Sequence, residues 1–460
     1  YELRPMSPNI LIILSDQLRR DALSCYGDSN IHTDHIDALA QAGTRFDNAC
    51  STYPICVPFR FSFMTGQYAH SRMVPGIEWR MSPAERTMAD EFNEAGYETI
   101  YVGKWHLYGG HLHMPGYSAI SENRTPVPRK YQGRWETWIG FELRNGPFDT
   151  YYTVNEDPTL RKIETYQTDG LFDLAMEHIA QKRDESRPFC CVLSVEPPHP
   201  PYEAPPELEE HWLARDIEVP PNWSPPEKGR DQSLRHRKIY YAMVENLNDN
   251  VGRMNRFLAE EGLADNTIVV FIADHGELGG SHGLNAKQHP YEPSVGIPLI
   301  IKDPTCTESA GKTVSAPTNT EDLFPTILGL AGLKPRDDVP GEDLTPVVRR
   351  DHAPDREGVL LQFVSETRHG AQYYDRTWRA FRSERFKYTV VGDINGAHPW
   401  HFFDLENDPH EMENLIDNPA WADEVKRHHQ LLRDEMVRTE DDYVLAPAFG
   451  FEGLNLWQHP

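Results

Sequence analysis

Asn9-Ile10-Leu11-Ile12-Ile13-Leu14-Ser15-Asp16-Gln17 is the stretch from which the architecture can be read. Five consecutive aliphatic residues end abruptly at a carboxylate and an amide. So short and uniformly apolar a run suits a strand buried on both faces. Thr267 to Ala273 repeats the pattern and ends at Asp274-His275. Glu98 to Val102 and Phe189 to Val195 read as two further strands, the first running into Lys104 and His106. Helical spacing fills the intervals: Thr33 to Phe46 (with Ile36, Leu39, Ala40 and Gly43 in register), Thr87 to Ala95, Tyr166 to Lys182 and Leu234 to Glu261. Strand–helix alternation predicts an α/β domain with a mostly parallel central sheet flanked by helices. In such sheets ligands gather beyond the carboxyl ends of the strands. Polar clusters at three strand ends, far apart in sequence, are thus expected to meet on one edge.

The pattern changes after about residue 350. Gly358 to Val364, Trp378 to Ser383 and Lys387 to Val391 read as short strands, followed by a helix around Glu424 to Val437. The expectation is a smaller C-terminal antiparallel sheet with a helix. The boundary is set at 352, giving a domain of residues 1–352 and one of 353–460. Proline-rich stretches at Pro197 to Pro206 and Pro220 to Pro226 read as surface excursions that could wall a cleft.

Composition narrows the function. A chain of 460 residues has two domains as its natural prior. No run approaches the ~18 apolar residues of a membrane span, so no membrane insertion is expected. With 45 basic against 71 acidic residues the net charge is −26, which disfavours nucleic acid and anionic membranes as partners. Any anion site must therefore be made locally positive by placed cations. The six cysteines show neither zinc spacing nor a disulfide framework. The chain opens without an initiator Met or a charged-then-apolar leader, which leaves a removed leader and a trimmed chain equally open.

Cys56-Val57-Pro58-Phe59-Arg60 is the sharpest local motif. A cysteine just ahead of a proline-started helix lies at the positive helix end, and Arg60 falls near it one turn on. Both effects favour an anion. A buried cysteine beside an ordinary surface arginine explains the same five residues, so the motif alone leaves both readings open.

The wider pattern resembles the sulfatase family of the alkaline-phosphatase superfamily. The matches run nearly end to end: Pro8-Asn9-Ile10 through Asp16, Ile36-Asp37, Cys56-Val57-Pro58-Phe59-Arg60, Gly103-Lys104-Trp105-His106-Leu107 and Pro197-Pro198-His199. They continue with Ala273-Asp274-His275-Gly276, His282-Gly283 with Lys287, Asp322-Leu323-Phe324-Pro325-Thr326, and Asp404-Leu405 to Leu415. Phe59 stands where the family usually has Ser.

The resemblance implies an alkaline-phosphatase-like fold and a sulfate ester hydrolase, with a sulfated mono-, oligo- or polysaccharide as the expected substrate. It implies that a maturation enzyme oxidises Cys56 to formylglycine. Hydrated, that aldehyde offers two hydroxyls: one attacks sulfur, and the other expels sulfate as the aldehyde reforms. Asp16, Gln17, Asp274 and His275, with the modified Cys56, match the family's metal cluster. Adjacent oxygen donors suit a hard cation, with Ca²⁺ expected and Mg²⁺ the alternative. Lys104 and Lys287 are implied as sulfate ligands and Arg60 as a stabilising cation. His106 is implied as partner of the formylglycine hydroxyl, and His199 as general acid. Lys104 and His106, one residue apart, would share a side if the chain is extended there. His282 and His289 are weaker candidates for binding on the leaving-group side of the substrate, with a structural histidine the equal alternative for either.

Gln17 replaces an Asp seen in many sulfatases. The second reading is thus a phosphonate monoester or phosphodiester hydrolase, relatives of which also tend to carry Asp-Gln. A non-catalytic protein on the same scaffold would require loss of a core residue, and none is lost. Trp79, Arg80, Trp135, Trp138, His111, His113, Arg368, His369 and Trp400 are candidates for lining a cleft. The presumed substrate points to a periplasmic or secreted protein, with a cytoplasmic one left open.

Overall fold

The structure, a computed structural model, describes residues 7–443 apart from 78, 110–123, 144–145, 351–353, 355, 366–376 and 394–395. Its centre is β1, Asn9–Asp16, buried at every position. Successive strand side chains point to opposite faces, so a wholly buried strand must be covered on both. The other strands of the large sheet are β2 (Thr44–Phe46), β3 (Glu98–Lys104), β4 (Thr137–Phe141), β5 (Tyr151–Val154), β6 (Asp157–Lys162), β7 (Phe189–Pro198), β8 (Thr267–Ala273), β9 (Leu299–Lys302) and β10 (Lys312–Val314). Their order is β10-β2-β9-β8-β1-β7-β3-β4-β5-β6. The block β8-β1-β7-β3-β4 is parallel, and antiparallel pairing enters only outside it.

Helices α1 (Asp34–Ala42), α2 (Cys56–Thr65), α3 (Met88–Glu94), α4 (Gln167–Gln181), α5 (Pro206–Ala214), α6 (Arg230–Glu260) and α7 (Leu323–Leu330) flank this sheet. The expected α/β architecture is present, with local corrections. The helix expected over Thr33 to Phe46 stops at Ala42, and Thr44–Phe46 becomes β2. Gly43 is pressed against β9, where a Cβ would lie 2.4 Å from the Ile301 carbonyl oxygen, so the chain turns there to pair with β9 and β10. Strands β4, β5, β6, β9 and β10 are short or half-exposed and gave no sequence signal. No helix among the described residues is long and apolar enough to cross a membrane.

The C-terminal sheet is an antiparallel meander of β11 (Gly358–Phe363), β12 (Trp378–Ser383), β13 (Phe386–Asp393) and β14 (Gly396–Asp404), with α8 (Ala422–Arg438) against it. Alternation serves two cores. Leu360, Phe381, Tyr388 and Phe402 pack with Val425, Leu432 and Met436 of α8. Val359, Leu361, Phe363, Trp378 and Ala380 join the core of the large sheet. Charge reinforces the seam. Buried Lys387 on β13 pairs with Glu292 at 3.0 Å and with Glu411 at 2.5 Å, and Arg382 on β12 reaches Glu292 at 3.1 Å.

Candidate active site

Sheet register builds the site. Ser15 on β1 lies beside Val195 on β7 and Ala273 on β8, and Gly103 on β3 lies beside Ser194 on β7. Asp16 and Lys104 therefore end, and Asp274 and His199 directly follow, four adjacent strands at their carboxyl edge. Gly103 makes this spacing feasible: its φ is +104° and a Cβ would sit 1.9 Å from the Ser194 carbonyl oxygen. Only glycine fits so close an approach. The fifth contributor is α2, which begins at Cys56 and is buried along all ten residues, so its N-terminus faces the strand ends from inside.

These segments converge on Cys56. Its Sγ is 3.2 Å from His275 Nε2, 3.7 Å from Asp16 Oδ1 and 3.8 Å from Lys287 Nζ. Arg60, fully buried, spans the two acids, with Nη2 3.5 Å from Asp16 Oδ2 and 3.2 Å from Asp274 Oδ2. Its Nη1 donates to the Lys104 carbonyl at 2.9 Å and to Ser194 Oγ at 2.8 Å. Lys104 Nζ bridges Asp16 Oδ2 at 2.6 Å and Glu196 Oε1 at 3.1 Å. Lys287 Nζ donates to Gln17 Oε1 at 2.6 Å, and Gln17 Nε2 donates to Glu277.

Three cations and two adjoining carboxylates in a buried site set the electrostatics. Burial and then repulsion from Asp16 lift Asp274 to about 7. Asp16 moves the other way: burial opposes its charge, but Lys104, followed by His199 and Arg60, holds it well below the usual carboxylate range. His106, His199 and His275 are pushed well below the ordinary imidazole value by burial, reinforced by Lys104 at His106 and by Lys287 at the other two.

The donor set fits a divalent cation. Asp16, Cys56, Asp274 and His275 each offer a ligand atom, all within 4.8 Å of one another. His275 Nδ1 lies 3.0 Å from the Gly276 carbonyl oxygen, so a neutral ring carries its proton there. The Nε2 lone pair is then left facing Asp274 Oδ1 at 3.4 Å and Asp16 Oδ1 at 3.6 Å. With Cys56 Sγ at 3.2 Å as well, the lone pair and the two acid oxygens converge on one point, an arrangement that suits a bound cation. Among the described residues, Asp274 Oδ2 has no partner beyond its ion pair with Arg60.

The structure gathers Asp16, Gln17, Cys56, Arg60, Lys104, Asp274, His275 and Lys287 directly. His199 and His106 join by their electrostatic coupling to Asp16, Lys104 and each other. His199 Nδ1 is held 2.6 Å from the Pro200 carbonyl oxygen. The chain is not extended through Lys104 and His106, because His106 is left-handed at φ 56°. Nor does Cys56 precede its helix; it is the first helical residue, with Pro58 two positions on. His282 stands apart, stacked on Tyr291 at 3.9 Å and 3.3 Å from Asn222 Nδ2. Trp135 and Trp138 are core residues at 0% exposure, packed with Tyr101, and do not line a cleft. His111, His113, Arg368 and His369 lie outside the described residues.

Sequence reasoning missed Glu196, Glu277, Ser194 and Tyr240. Tyr240 donates its hydroxyl to the Gln17 carbonyl oxygen at 2.7 Å. The signal for Glu196 was present: a carboxylate at the end of an apolar strand, Val192 to Val195, needs a buried cation.

Comparison with known proteins identifies the family. Residues 8–333 match the family model described as Sulfatase, and residues 280–438 match that described as N-sulphoglucosamine sulphohydrolase, C-terminal. The chain is 31% identical over 443 residues to the ulvan-active sulfatase of Formosa agariphila, covering 95% of this chain and 83% of that protein. The solved structure of YidJ from Bacteroides fragilis is similar with a TM-score of 0.86 and 27% identity, over 96% of this chain and 98% of that one. The phosphonate monoester hydrolase of Agrobacterium radiobacter shares the fold at a TM-score of 0.70 and 22% identity, over 94% and 96%. With the match to its family model spanning more than half of its length, this chain belongs to the sulfatase family and is a sulfuric ester hydrolase.

Proposed function

We propose that the enzyme removes sulfate from a sulfated carbohydrate, using a formylglycine made from Cys56 by a maturation enzyme and a Ca²⁺ ion held by Asp16, Gln17, Asp274 and His275. The observation that carries this reading is the setting of Cys56 Sγ, 3.2 Å from His275, 3.7 Å from Asp16 and 3.8 Å from Lys287. The matches to a sulphoglucosamine sulphohydrolase C-terminal model and to an ulvan-active sulfatase support the saccharide class. In an acidic protein, Arg60, Lys104 and Lys287 supply the local positive charge that an anionic ester needs. A formylglycine at position 56 would supply a nucleophilic hydroxyl, and a cation held by Asp16, Gln17, Asp274 and His275 would supply the Lewis acidity that favours its ionised form.

The chain's own residues do the rest. Lys104 and Lys287 bind sulfate oxygens and stabilise charge developing on the transferred group. Arg60 fixes Asp16 and Asp274 in register and keeps them from separating. His106 takes the hydroxyl proton on release of sulfate. His199, its ring oriented by the Pro200 carbonyl, faces the leaving-group oxygen. Burial, and then Lys287, disfavour a proton on its ring in the free site, and the charge of a bound sulfate ester offsets the Lys287 part and so favours the protonated ring that an acid needs. His282 acts on the substrate side, through its stack with Tyr291. The two-domain division at 352 and a periplasmic or secreted location belong to the same reading.

Sulfate release would be measured on a panel of sulfated mono- and oligosaccharides with wild type and Cys56→Ala, before and after chelation and Ca²⁺ add-back. Release that vanishes in Cys56→Ala, and that wild type loses on chelation and regains with Ca²⁺, supports the proposal. A phosphonate monoester belongs in the same panel, because Gln17 stands in the metal set. If the matured enzyme cleaves the phosphonate far faster than every sulfated sugar, the carbohydrate reading is wrong.

A further inference from the structure

Arg237, on α6, is 8% exposed, and its Nε is buried without a hydrogen-bond partner. Its guanidinium reaches the Tyr241 hydroxyl only at 3.5 Å, and among the described residues no carboxylate forms an ion pair with it. Asp21 feels its charge from beyond that distance, and the Asp21 carboxylate is already engaged by Arg19. The guanidinium carbon lies over the Tyr241 ring at 5.7 Å; a guanidinium cannot shed its proton, and a buried cation without a close anionic partner is costly. Such a group is a receptor awaiting an anion.

The space it faces is built for one. Arg237 lines a cavity of about 30 Å³ together with Arg19, Tyr202, Tyr240, Tyr241 and Glu277. One water needs roughly 10–15 Å³, so the space is of the scale of a carboxylate or one face of a sulfate. Gly279 opens it: a Cβ there would stand 3.8 Å from Arg19 Nη1 and 4.0 Å from Arg237 Nη1. Both guanidinium edges thus point into one small volume. Asp21 engages Nε and Nη2 of Arg19, which leaves Nη1 with a single weak contact to the Leu278 carbonyl at 3.4 Å. The carboxylate of Glu277 is already occupied, by the backbone N–H groups of Gly279 at 2.7 Å and Ala286 at 2.8 Å and by Gln17.

The cavity adjoins the reaction site. The Tyr240 hydroxyl joins the Gln17 carbonyl to the Arg19 N–H, at 2.7 and 2.9 Å. Tyr202 follows His199 by three residues, and Asn285, also on the cavity wall, precedes Lys287 by two. The segments that carry the leaving-group histidine and a sulfate cation therefore border both spaces.

We infer that this cavity is a second oxyanion site, in which Arg237 and Arg19 Nη1 bind a carboxylate or a further sulfate group carried by the saccharide being cleaved. This rests on the carbohydrate reading above and makes the preferred substrate a sugar with at least two anionic groups.

Two measurements test it. Crystals of Cys56→Ala and of Cys56→Ala/Arg237→Met are soaked in selenate, whose anomalous signal marks sulfate positions. A peak between Arg19 and Arg237 in the first, absent from the second, is expected, with the Lys104–Lys287 peak kept in both. An empty cavity at a selenate concentration that fills the Lys104–Lys287 site overturns the inference. Matured wild type and Arg237→Met are then compared on glucosamine 6-sulfate and glucosamine N,6-disulfate. Loss of one charge-assisted contact is expected to lower kcat/KM at least about tenfold on the disulfate, and to leave the monosulfate within about twofold. Equal losses on both sugars, or none, overturn the substrate assignment; a selenate peak without a selectivity change marks a site for free sulfate instead. If wild type cleaves an aryl sulfate but neither sugar, the carbohydrate reading fails, while the selenate maps still decide whether the cavity binds an oxyanion.

Discussion

Lys104→Met separates chemistry from internal charge balance. Methionine keeps most of the stem and removes the ammonium. Lys104 is 1% exposed, with Nζ 2.6 Å from Asp16 Oδ2 and 3.1 Å from Glu196 Oε1. Burial favours loss of its proton, but Asp16 and then Glu196 outweigh burial, so it stays charged at every working pH. Removing one partner of a buried ion pair costs about 3–5 kcal/mol of stability, because the carboxylates remain. Removing one preorganised cation from the transferred group costs about 3–4 kcal/mol of barrier, or roughly 10²–10³ in kcat. Combining Lys104→Met with Glu196→Gln restores part of the stability and none of the rate. The assay is the initial rate on an aryl sulfate with Ca²⁺ present, alongside circular dichroism and a denaturant titration. A folded Lys104→Met enzyme whose kcat stays within about threefold of wild type would refute the contact with sulfate and reduce Lys104 to an internal counter-ion.

Cys56→Ala is expected to fold and release no sulfate, and intact-mass analysis of active wild type should show a loss of about 18 Da, the change from Cys to formylglycine. An active enzyme of unmodified mass would refute the modification. Gly103→Ala places a Cβ 1.9 Å from the Ser194 carbonyl at φ +104°, so it should express as insoluble or strongly destabilised protein. A soluble variant with wild-type stability would mean that β3 and β7 can move apart. Burial, helped in His428 by the nearby Arg427 and in His429 by Arg433, lowers both histidines to about 4. The folded state then binds fewer protons than the unfolded chain between about pH 6.5 and 4. Stability present above pH 6.5 should therefore fall as pH drops through that window, by a few kcal/mol in all. A urea midpoint unchanged between pH 7 and 5 would contradict this.

Much of the site is legible in the sequence because metal and anion chemistry writes itself into residue types at strand ends. Asp16-Gln17 and Asp274-His275 each close an apolar run, and parallel sheets bring such ends to one edge. Only β8 lying directly beside β1 makes them neighbours, and sheet order is a property of long-range pairing. Glu196 and Glu277 escape such a reading, since a lone acid looks like surface until a buried cation faces it. Trp135 and Trp138 were offered to a cleft because an indole signals bulk rather than location. The stacked rings of Tyr101 and Trp138 put them in the core.

By itself, then, the sequence determined the alternation of strand and helix, the cysteine motif and the set of chemically apt side chains, because period and residue type are local properties. The tertiary structure alone decided which charges meet. The bridging of Asp16 and Asp274 by Arg60, the clamp on Gln17 between Lys287 and Glu277, and the unpaired Arg237 over Gly279 each depend on segments tens to hundreds of residues apart. Burial, which sets the cost of an unpaired charge, exists only once those segments are packed.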